Sequence, residues 1–139
     1  MNEAELAAAL EDGSLPESEF RHRQHLQVGY YYLREFGFAE AISRMARALR
    51  SYATARGKEQ LYHETITVAF LSLINERIAR TGDGGGWEGF AAANPDLLDR
   101  RLLSHYYRPE TLHSAIARKV FVMGEFAARP YLANDSLTR

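Results

Sequence analysis

The 139-residue chain contains no cysteine. That excludes a disulfide framework, a thiolate nucleophile and any cysteine-ligated metal site. No apolar run approaches the roughly 18 residues of a membrane span, and Met1–Gly13 lacks the basic start of a signal peptide. Neither sign of charge is in excess, with 17 Lys and Arg against 18 Asp and Glu, so nothing marks a nucleic-acid or membrane partner. There is no Gly-x-Ser-x-Gly nucleophile elbow and no His-Glu-x-x-His zinc motif. The glycine run Gly82–Gly86 lacks the Gly-Lys-Ser/Thr ending of a phosphate loop and follows no strand, so it reads as a linker or a mobile lid. What remains is the expectation of a cytoplasmic, bacterial-type protein acting on or binding a small molecule, with a homodimer left open. Its five histidines are the only soft metal donors available.

One domain spanning 1–139 is the natural expectation for this length. Asn2-Glu3-Ala4-Glu5 reads as a capping box, so residues 1–13 should form a short peripheral helix closed by Gly13. Ser14-Leu15-Pro16-Glu17 is a second start signal. From there Phe20, His22, His25, Leu26, Gly29, Tyr32, Leu33 and Phe36 repeat at helical spacing as far as Gly37. Phe38, Ala41, Ile42, Met45, Leu49 and Tyr52 mark the next helix, which ends at Gly57. Lys58 to about Arg80 is apolar on nearly every side, as expected of a helix covered by its neighbours. Beyond the glycine run come short helical stretches over Trp87–Ala93, from Asn94-Pro95-Asp96 to about Tyr106, and after Arg108-Pro109-Glu110. Val120–Met123 reads as a short strand or extended segment, and 124–139 as an irregular tail. The predicted fold is all-α: an up-down-up three-helix bundle core with additional short helices at both ends.

The candidate site follows from loop arithmetic. Two short connections give two reversals, so the first and third long helices start at the same end of the bundle. If they begin near Glu17 and Glu59, then His22, His25 and His63 stand roughly 7, 12 and 6 Å along parallel axes. His22 and His25, at i and i+3, share a face. With His63 they would supply a facial set of imidazoles for a divalent transition metal such as zinc, iron or copper. Glu64, rotated about 100° from His63, is placed as general base or orienting group. Tyr52 and Tyr62 are candidate proton donors. Three histidines serve a Lewis-acid site and a redox site alike, so the reaction stays open. The competing expectation is a metal-free binding or accessory module for a small ligand or partner protein. In that case the histidines are satisfied core residues, bonded to carbonyls or hydroxyls.

Phe20-Arg21-His22-Arg23-Gln24-His25-Leu26 and Tyr62-His63-Glu64-Thr65-Ile66-Thr67 resemble a family of small, uncharacterised, all-helical bacterial proteins. Its members carry F-x-H-x-x-H-L and Y-H-E-T-I-T segments. The resemblance covers roughly residues 18–122 and falls on His22, His25, His63 and Glu64. It implies no substrate.

Overall fold

The computed structural model describes residues 1–126, so most of the tail expected to be irregular lies outside the described residues. Among these residues there are seven α-helices, joined by 3-10 turns, and no strand. Helix α1 (Glu3–Glu11) opens on the expected capping box: Asn2 Oδ1 accepts the Glu5 N–H at 2.8 Å, and Glu5 Oε1 accepts from the Asn2 N at 3.0 Å. It is more deeply docked than a peripheral helix. Leu6, Ala7, Ala9 and Leu10 are buried in the common core.

Helices α2 (His22–Phe36), α3 (Phe38–Ala55) and α4 (Glu64–Thr81) are the up-down-up bundle. Gly37 is the entire link between the first two; its φ of 79° is one that L side chains rarely adopt. Contacts at the two ends show the directions. Arg44 lies over Phe36 beside that link, whereas Tyr52 meets Phe20 at the opposite end. Phe70 touches His22, and Gly29 faces Leu71 and Ile74, so α4 runs parallel to α2. A Cβ on Gly29 would stand 2.8 Å from Leu71 Cδ2. The missing side chain is what lets these two helices approach so closely.

Both parallel helices start later than the sequence suggests. Glu17–Glu19 and Glu59–Leu61 form isolated 3-10 turns, and α2 and α4 begin only at His22 and Glu64. Phe20 explains the first break. In a continuous helix Phe20 and His25, five residues apart, would point about 140° apart. With Phe20 at φ −113°, ψ 80° its ring folds back and stacks on His25 at 3.9 Å.

The glycine loop is pinned rather than free to act as a lid. Tyr30 donates to the Asp83 carbonyl at 2.6 Å, Arg34 pairs with Asp83, and Gly84 packs on the backbone of Gly89 and Phe90. From there α5 (Trp87–Ala93) leads back along α2. The single helix expected over 94–106 is two 3-10 segments, Pro95–Leu98 and Arg100–His105, broken at Asp99, whose side chain accepts from Arg101 N. The last expected helix is likewise split into α6 (Pro109–Leu112) and α7 (Ala115–Lys119), the second capped by Ser114. Residues 120–123 follow the last helix with Val120 extended, and they pair with no strand among the described residues. Buried Thr65 holds them, donating to the Val120 carbonyl and accepting from Val122 N, while Tyr107 donates to the Val122 carbonyl. No helix among the described residues is long and apolar enough to cross a membrane.

Candidate functional site

The late helix starts leave a hollow of about 1090 Å³ between the first turns of α2 and α4 and the last turns of α3. Phe20, Leu26, Met45, Leu49, Ile66 and Phe70 supply apolar wall, and Leu98 to Arg101 close one side. Of the six residues singled out from sequence, His22, His25, His63, Tyr52 and Tyr62 all line this hollow. Glu64 does not. It lines a separate, smaller depression of about 440 Å³ with Ile42, Ser43 and Arg50.

The three imidazoles share the cavity without sharing a centre. His22 contacts Phe70, which lies seven residues beyond His63, about 10 Å of helical rise. The two histidines are therefore not level, because α4 starts at Glu64 and its second turn, not its first, faces the start of α2. Among the described residues no group of three His, Asp or Glu side chains is placed to hold one metal ion.

Each ring has a tautomer set by its partner. His63 is the N-cap of α4. Its Nδ1 accepts the Ile66 N–H at 3.1 Å, as an Asn or Asp oxygen would in that position, and its Nε2–H donates to the Leu112 carbonyl at 2.6 Å. Both nitrogens are used. His22 donates from Nε2 to the Leu97 carbonyl at 2.9 Å, which leaves Nδ1 without a partner among the described residues. His25 donates from Nδ1 to the Arg21 carbonyl at 2.9 Å, which leaves Nε2 without a partner among the described residues. Burial pushes both His22 and His25 below the ordinary imidazole range, and the carbonyls they bond pull them part of the way back. Both are neutral acceptors at neutral pH.

The two tyrosines have structural duties. Tyr52 donates to the Leu15 carbonyl at 2.6 Å, and Arg56, stacked on the Tyr52 ring, binds that same carbonyl and Gly13 O. Together they hold the turn that delivers Phe20 to the cavity. Tyr62 donates to Glu64 Oε1, and Arg50 lies over the Tyr62 ring 3.7 Å from Glu64. Burial first, then the bond to Glu64, raises the Tyr62 hydroxyl well above its ordinary value. It holds its proton firmly, so it can donate a hydrogen bond but is a weak acid.

Charge in the lining is lopsided. Arg21, Arg56, Lys58, Arg100 and Arg101 face only Glu17 and Asp99, in a chain whose net charge is −1. Sequence reasoning does not single out Arg21, Arg100 or Phe20 as site residues. No local pattern could have shown that residues 98–101 return to the start of α2. That depends on where the pinned glycine loop sends the chain. Comparison with family models, with curated proteins and with solved structures finds no match for this chain.

Proposed function

We propose that this protein is a helical binding module that takes a small, largely apolar molecule into the cavity between α2, α3 and α4. The observation that carries the reading is the cavity itself. At about 1090 Å³ it is slightly larger than the usual small-molecule site, its walls on α3 and α4 are mostly apolar, and polar groups converge on it from the other sides. Folding consumes His63, Tyr52 and Tyr62, whereas His22 and His25 each keep one ring nitrogen unbonded among the described residues. Thermal unfolding against a panel of small arenes tests it. Several should raise the midpoint saturably, and Leu49→Trp, which fills the hollow, should abolish the shift while leaving the fold intact. A panel in which no compound moves the wild-type midpoint would sink the reading.

A metal-dependent enzyme keeps one support, the free nitrogens of His22 and His25 at i and i+3 on one helix face. A third donor from His63 would require giving up its cap bond and its bond to Leu112. Elemental analysis after loading with zinc, iron or copper decides this reading. Less than about a tenth of an equivalent bound would remove it.

A further inference from the structure

The lining charges do not cancel one another pair by pair, and two of the cavity's guanidiniums are left over. Glu17 is taken by Lys58 at 3.1 Å, with Arg56 at 3.7 Å. Asp99 is taken by Arg101, through its backbone N–H and its guanidinium. Arg56 is further committed to two carbonyls. Arg21 and Arg100 make no ion pair among the described residues, and the side chain of Arg21 reaches only the Ser18 carbonyl. Both line the cavity. Arg21 directly precedes His22, and the His22 ring is bonded to the carbonyl of Leu97, three residues before Arg100. The walls formed by Met45 and Leu49 of α3 and by Ile66 and Phe70 of α4 are apolar.

We propose that the guest is an apolar organic acid, with its carboxylate on the guanidinium groups of Arg21 and Arg100 and its hydrocarbon body against Phe20, Leu49 and Phe70. This rests on the cavity being a binding site. A planar guanidinium matches a carboxylate through two parallel hydrogen bonds, and a low-dielectric wall behind it strengthens the attraction. The free nitrogens of His22 and His25 are lone-pair acceptors, so they repel a carboxylate and leave the head to the arginines. Both arginines are exposed, so removing them costs little stability.

The test is calorimetric titration of the full chain at pH 8 and low salt with 2-naphthoate and with 2-naphthalenemethanol, its neutral counterpart. The acid should bind at least about tenfold more tightly, the size expected of a charge-assisted pair. That preference should shrink with added salt and disappear in the Arg21→Gln/Arg100→Gln variant, with binding of the alcohol unchanged. Equal affinity for acid and alcohol would overturn the acid proposal while leaving the cavity reading in place. Failure of both to bind would overturn the two together. A preference that survives in the double variant would overturn the assignment to Arg21 and Arg100.

Discussion

Where α4 ends and α5 begins, the rings of Tyr30, Trp87 and Phe90 pack on one another at 5.0 to 6.3 Å, and all three are almost fully buried. The Tyr30 hydroxyl is tied to Asp83 O, and the Tyr32 hydroxyl to Glu11. Only the Trp87 Nε1 is left buried without a partner among the described residues. At the other end of the bundle the helices begin late, Phe20 stacks on an imidazole instead of entering a core, and a hollow stays open. One end spends its aromatic and polar groups on folding. The other has two ring nitrogens and two guanidiniums to spare. Spare polar groups around an apolar hollow are what the proposed binding reading rests on.

That contrast breaks first under truncation. Phe90→Ala empties a fully buried position and should cost about 3–5 kcal/mol in urea denaturation. Phe20→Ala, half-buried at the cavity, should lose only its stacking and partial burial, about 1 kcal/mol. Equal losses would mean that the cavity end is packed as tightly as the other, and the distinction would go.

His63 is the exception that sharpens the comparison, since it stands at the open end and does structural work. His63→Ala should cost about 2–3 kcal/mol, the sum of a lost N-cap and an unpaired Leu112 carbonyl. His63→Asn should recover the cap part, because an Asn oxygen can accept the Ile66 N–H. A loss under about 0.5 kcal/mol in His63→Ala would contradict the capping role.

The helical faces were legible because periodicity is local. Leu26, Tyr32, Leu33, Met45 and Tyr52 are buried as their spacing predicts. The site was only half legible. The histidines do face the cavity, but their levels depend on helix starts, and those were misplaced by five residues at both Glu17 and Glu59. Nothing in a capping Ser and an early Pro tells a 3-10 turn from a full helix. His63 reads as a ligand only if its helix starts near Glu59, which puts it inside the first turn; with the start at Glu64 it is the cap, an acceptor three residues before Ile66. The unpaired arginines were illegible, since pairing at Asp99 and Glu17 is a tertiary fact.

Gly29→Ala probes the closest approach within the bundle. Alanine favours the helix by about 1 kcal/mol, while its Cβ would press on Leu71 Cδ2 at 2.8 Å, and overpacking costs about 1–3 kcal/mol. The colliding atom is the tip of a flexible side chain, so the net loss should be about 1 kcal/mol or less. Urea denaturation measures it, and a loss above about 3 kcal/mol would show that Leu71 has nowhere to go.

The smallest effect is the dependence on pH, and it belongs to the open end. His22 and His25 are both pushed below the ordinary imidazole value of about 6.5, chiefly by burial. Arg100 pushes His22 further down while Asp99 opposes it, and the charge of His22 lowers His25. Between the depressed folded values and about 6.5, the unfolded chain binds more protons than the folded one, so stability rises with pH across that window. Above about 6.5 both rings are neutral in either state and contribute no slope. Below it each step in acidity favours unfolding, until the folded rings protonate as well. The depressed carboxylates of Asp96 and Asp99 act in the same sense but in a lower window, beginning near their ordinary value of about 3.9. Urea midpoints measured from pH 8 down to pH 5 should therefore stay level and then fall in the wild type, and fall less in His22→Gln/His25→Gln. The same decline in both proteins would place the responsible groups elsewhere and leave the two cavity imidazoles without a measurable proton linkage.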